Sequence, residues 1–127
     1  MNHDSPELFD RMGGAEALSA IVKDMYERIF KDPELAPFFQ NVQTDRLRKM
    51  QYEFLASAFQ GPVNYTGAEL TAIHHNRGIH AGHFAKFCSH FADAARAHGA
   101  READVDQALG QLATYKDKIT GDSNIDG

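Results

Sequence analysis

Apolar residues recur at three- and four-residue spacing through most of this chain, and no stretch alternates apolar with polar positions as a half-buried strand does. The pattern predicts an all-α fold. After a polar lead and a short turn over residues 8–12, Gly13-Gly14 precedes a first long helix over about residues 15–31. Leu18, Ile21, Val22, Met25, Ile29 and Phe30 share its inward face, and Asp32-Pro33 ends it. The aromatic, proline-containing stretch 34–39 reads as a turn or a short helix. Thr44 or Asp45 is placed to cap a second helix whose inward face is Leu47, Met50, Gln51, Phe54, Leu55, Ala58 and Phe59. Gly61-Pro62 closes it, and a loop through Tyr65-Thr66-Gly67 leads to a short helical stretch over about 68–75. Two further helices are expected, over about 82–98 with a stop at Gly99 and over about 102–119 with Val105, Leu109, Leu112 and Ile119 inward. The tail after Gly121 is expected to fray.

Composition narrows the picture without changing it. At 127 residues with 43% apolar and 24% charged residues, the chain suits one globular domain over 1–127, with a core over about 7–119. A net charge of −5 with scattered Lys and Arg argues against a nucleic-acid partner, because neutralising phosphates needs a basic face. The first residues lack the basic and apolar regions of a secretion signal, and no run approaches the roughly 18 apolar residues of a membrane span, so a cytoplasmic protein with no membrane contact is expected. The lone Cys88 lies in the helical stripe Phe84, Phe87, Cys88, Phe91 and reads as a small core residue.

Chemistry concentrates in two places. Four of the seven histidines, His74, His75, His80 and His83, fall within residues 73–84. The His-Glu-x-x-His pattern of a zinc protease and the cysteines of a structural zinc site are both missing, which weakens a zinc or nickel reading of this cluster. His74 shares a helical face with Leu70 and Ile73 and so points inward, whereas His75 points out. Tyr26 and Gln51 likewise interrupt otherwise apolar inward faces. Two readings remain open on the residues alone: core polar groups bonded to one another in a cofactor-free helical interaction module, or a cavity with an inward ligand and inward donors.

The sequence as a whole resembles a known family. Leu8-Phe9-Asp10-Arg11-Met12-Gly13-Gly14, Met25-Tyr26, Phe38-Phe39, Gln51, Gly61-Pro62, Tyr65-Thr66-Gly67, Ile73-His74, Arg77-Gly78-Ile79 and His83-Phe84, in that order and spacing, resemble the truncated haemoglobins, most closely their first group. The resemblance implies a two-over-two helical sandwich around haem, with His74 as the proximal iron ligand. It further implies Tyr26 as the distal tyrosine, Gln51 and Leu47 as distal-helix residues facing the bound gas, and Phe39 as the aromatic packed on the haem. Phe54, Phe84 and His83 are further expected haem contacts, and Lys49 or Arg46, with Tyr65 and Arg77, are candidates for the propionates. Met50 stands where many members carry a basic residue or histidine, so no internal distal histidine ligand is expected. Gln60-Gly61 replaces a common double glycine, a change that alters the loop and not the fold.

The implied function is reversible binding of O₂, NO and CO, with conversion of NO to nitrate as a further activity. That activity needs a separate reductase, since no Gly-x-Gly-x-x-Gly nucleotide fingerprint is present. A monomer or weak dimer is expected.

Overall fold

A computed structural model describes residues 7–61, 79–116 and 120. Among them there is no strand. The elements are α1 (Leu8–Arg11), α2 (Gly14–Phe30), a 3₁₀ turn (Ala36–Phe39), α3 (Thr44–Ala58), α4 (Ala81–Ala97) and α5 (Glu102–Ala113). The stretch expected to be helical over 68–75 lies outside the described residues. Helix α2 is central: it packs on α3 and α4, α4 packs on α5, and α1 bridges α2 and α5.

The core follows from the helical periodicity. Leu18, Ile21, Val22, Met25, Tyr26 and Ile29 of α2 are buried, as are Phe54, Leu55 and Ala58 of α3 and Phe84, Phe91, Ala94 and Ala95 of α4. Phe59, just beyond α3, meets Phe91 with ring centroids 5.6 Å apart. Five expected inward positions differ. Phe30, the last residue of α2, is 39% exposed, its ring forming the outer member of an aromatic group with Tyr26 and Phe39. Leu47, Met50 and Gln51 are only half-buried, so the apolar face of α3 is closed over its second half and open over its first. On α5 the smaller Ala108 occupies the fully buried place and Leu109 is half-buried beside it.

The element ends have local causes. Gly13 adopts φ +110°, a conformation that L side chains rarely adopt, and a side chain there would collide with the Cβ of Ala17. The cap of α3 lies one residue before Thr44, the first of the two expected caps: Thr44 is its first helical residue, and Gln43 stands at the cap in extended conformation without a side-chain bond. Helix α4 ends in a Schellman arrangement, with Gly99 N–H donating to Arg96 O and Ala100 N–H to Ala95 O, both at 3.0 Å, and Gly99 at φ +92°. Helix α5 stops at Ala113, short of the expected 119, though Lys116 and Thr120 beyond the turn are helical again. Thr114 and Tyr115 donate to the carbonyls three residues back, and the Thr114 hydroxyl also donates to Gln111 O at 2.7 Å, tightening the last turn. Position 119 lies outside the described residues.

Among the described residues two carboxylates are buried, Asp32 and Asp104. Asp104 of α5 accepts a hydrogen bond from Arg11 Nε at 3.0 Å, and Arg11 also reaches Gln107, which fastens α1 to α5. At the far side of α1, Phe9 N–H donates to Phe59 O at 2.9 Å, and the Phe9 ring lies where a Cβ on Gly61 would approach it to 2.8 Å. No described helix is long and apolar enough to cross a membrane.

Candidate functional site

Helices α2 and α3 bring together the two inward polar residues that interrupt their apolar faces. Gln51 Nε2 donates to the Tyr26 hydroxyl oxygen at 2.8 Å. Tyr26 is 1% exposed, and burial pushes its phenol above the ordinary tyrosine range while the bond from Gln51 opposes that rise. The hydroxyl therefore stays protonated, and as its oxygen accepts from Gln51 its own proton has no acceptor among the described residues. Gln51 Oε1 is also buried and without a hydrogen-bond partner there. Turning the amide over makes Tyr26 donate to Oε1 and leaves the Nε2 protons unused instead. Either orientation presents a spare donor beside the pair.

An aromatic wall adjoins these groups. The rings of Tyr26, Phe30 and Phe39 form a mutual cluster with centroids 5.6 to 5.9 Å apart. The Tyr26 and Phe39 planes cross at 78°, an edge-to-face contact. Leu47 and Phe39 are partly buried and pack against the core. Tyr26, Gln51 and Phe39, three of the residues singled out from sequence, thus share one locality.

The other expected contacts divide. Phe54 is buried edge-on against Tyr115 at 5.0 Å, and Phe84 is buried with its ring stacked on Phe87 at 6.4 Å. His83 is half-buried: its Nδ1 accepts from His80 N–H at 3.0 Å at the start of α4, and its ring meets Phe38 at 4.8 Å. The two histidine rings stack at 5.3 Å. Lys49 is 72% exposed and pairs with Glu53 one turn on, and Arg46 is exposed. Cys88 is half-buried, with burial pushing its thiol up to about 11, which keeps it an inert packing group. His74, His75, Tyr65 and Arg77 lie outside the described residues.

Sequence reasoning passed over Phe30 and Phe38 as site neighbours. It also passed over a charged cluster at the end of α2, where Asp32 receives Lys86 and His90 of α4. A doubled aromatic beside Phe39 was a usable signal for Phe38. Nothing in the local sequence marks a pair 58 positions apart.

Comparison with known proteins identifies the family. A family model described as bacterial-like globin matches residues 7–121. The chain is 39% identical over 117 residues to the group 1 truncated hemoglobin GlbN of Mycolicibacterium paratuberculosis, covering 91% of this chain and 86% of that protein. Its fold superposes on the crystal structure of truncated hemoglobin from Tetrahymena pyriformis in the Fe(III) form with TM-score 0.85, at 24% identity over 90% of this chain and 97% of the other. The 2/2 hemoglobin from Synechococcus gives TM-score 0.83 at 20% identity, covering 91% and 99%. The chain belongs to the bacterial-like globins, and within them to the group 1 truncated haemoglobins with their two-over-two helical fold.

Proposed function

We propose that this haem-binding globin takes up O₂, CO and NO reversibly and retains O₂ by hydrogen bonding from Tyr26 supported by Gln51. The observation that carries this reading is the buried Tyr26–Gln51 pair with its unpartnered oxygen and its uncommitted proton. A buried polar group left without a partner costs about 1–3 kcal/mol, so a pair placed in this way is explained if a polar ligand completes it. The half-open face of Leu47 and Met50 along the first half of α3 and the partly exposed Phe30 and Phe39 suit the rim of a flat apolar cofactor, and the donors suit a small polar ligand upon it. The chain's own residues therefore fit haem.

Haem, when bound, supplies an iron with an open coordination position at which a diatomic gas binds. On the family pattern His74 would hold the iron. Tyr26 donates its proton to the ligand atom that carries negative charge, and Gln51 keeps the hydroxyl aimed. A hydrogen bond to a charged acceptor is worth about 1.5–3 kcal/mol, or roughly 10- to 150-fold in retention, and CO, which gathers less charge, gains less. Phe39 holds the Tyr26 ring edge-on. Leu47, beside Gln51 on α3, supplies apolar surface that keeps water from competing for the donors. Retained O₂ that meets NO yields nitrate, a reaction that takes one electron per turnover from a separate reductase.

The test is an absorption spectrum of the purified protein, ferric and then reduced, with and without CO, for the wild type and His74→Ala. A Soret band, a five-coordinate ferrous form that takes up CO, and loss or weakening of both in the variant are expected. A colourless protein that refuses added haemin overturns the reading. For the nitrate step, rapid mixing of the O₂-loaded protein with NO is expected to give fast conversion to the ferric form; no fast conversion removes that step.

A further inference from the structure

The distal pair does not use the charged cluster at the end of α2, in which one buried carboxylate receives three donors. The Asp32 side chain is 5% exposed. Its Oδ1 accepts from Glu34 N–H at 2.9 Å, and its Oδ2 lies 2.8 Å from His90 Nε2 and 3.1 Å from Lys86 Nζ. Lys86 also stands 3.7 Å from the exposed Glu34 carboxylate. A turn of this kind needs one of these donors, the amide two residues on. The other two come from α4 and bind the turn to a different helix.

The backbone of Asp32 then starts the segment that leads to the site. Its carbonyl accepts from Leu35 N–H at 3.1 Å and from Ala36 N–H at 2.9 Å, and Leu35 O in turn accepts from Phe38 N–H at 3.0 Å. This ladder ends at Phe38, whose ring meets His83 of α4, and at Phe39, whose ring stands edge-on to Tyr26 at 5.6 Å. Helix α4 thus grips the segment at both ends, through Lys86 and His90 at Asp32 and through His83 at Phe38.

We propose that Asp32, clasped by Lys86 and His90, is a positioning residue for ligand retention, because it fixes the turn that presses Phe39 against Tyr26 and so sets the aim of the Tyr26 hydroxyl. The inference rests on the gas-binding reading above. Asp32 touches neither ligand nor cofactor; it acts through Phe39.

The experiment uses the haem-loaded protein and three variants, Asp32→Asn, His90→Leu and His90→Gln, the last keeping an N–H donor. The infrared stretch of bound CO reports hydrogen bonding to the ligand, and O₂ dissociation is followed by rapid mixing. Asp32→Asn and His90→Leu are expected to move the CO band to higher frequency and to speed O₂ loss by roughly three- to tenfold, the size of a weakened rather than a deleted bond. His90→Gln is expected to restore both. A second readout needs no cofactor: amide exchange at Leu35, Ala36 and Phe38 is expected to quicken in Asp32→Asn and His90→Leu. Folded variants with lower stability but an unchanged CO band and O₂ rate overturn the proposal. If Asp32→Asn does not fold, the His90 pair decides. A wild type without a Soret band overturns the gas reading beneath it, a failure distinct from an unchanged band in loaded variants.

Discussion

At the scale of single residues the site turns on one proton. Tyr26→Phe keeps the ring against Phe39 and Phe30 and removes only the hydroxyl. O₂ dissociation, followed by rapid mixing, is expected to accelerate roughly 10- to 150-fold while CO release changes far less. Equal changes for the two gases would mean that the hydroxyl acts by bulk. Asp32 gives a second residue-scale expectation. The hydrogen bond from His90, then that from Glu34 N–H and the Lys86 charge, hold its carboxyl well below the ordinary 3.8. With the folded value below the unfolded one, its contribution is complete above about pH 4 and drains away as pH falls towards the folded value. Asp32→Asn is therefore expected to flatten the acid limb of stability, measured by urea unfolding at neutral pH and again below 3.8. Of these residues, Tyr26 and Gln51 were legible in the sequence, because a polar side chain on an apolar helical face stands out by position alone. Asp32 was not: beside Pro33 it reads as a helix terminator, and its partners on α4 carry no mark of the association.

At the scale of elements, helix existence was legible and helix ends were less so. The apolar spacing of α2, α3 and α4 located them to within a residue or so. The end of α5 was not visible, because Thr114 closes that helix by turning its hydroxyl onto Gln111 O and the apolar period continues past it. Phe30 fits the inward stripe by spacing, yet it is the last residue of its helix, where no following turn covers it. The docking of α1 yields two predictions. Asp104→Ala removes a carboxylate 4% exposed that pairs with Arg11 across α1 and α5, so it is expected to destabilise by about 1.5–3 kcal/mol in chemical unfolding, the size of a lost hydrogen bond between charged groups. Gly61→Ala drives a methyl into the Phe9 ring and against Ala56 O, and a loss of about 1–3 kcal/mol is expected by the same assay. A neutral result there would mean that α1 shifts freely.

At the scale of the whole molecule, stability and cofactor supply are linked. The buried Gln51 Oε1 and the exposed Phe30 ring are features that a bound partner would complete. Haem that binds the folded chain and not the unfolded one adds about 2.7 kcal/mol at a hundredfold excess over its dissociation constant, and the unfolding midpoint is expected to climb by several degrees as haemin is titrated in. A midpoint indifferent to haemin would count against the site. The Arg11–Asp104 tie has a further consequence, in the currency of inheritance. Because the bond joins helices 93 positions apart and each partner's part in it depends on the other, a lineage that loses one no longer selects for the other, so the two positions are expected to be substituted together among descendants of this chain rather than one at a time.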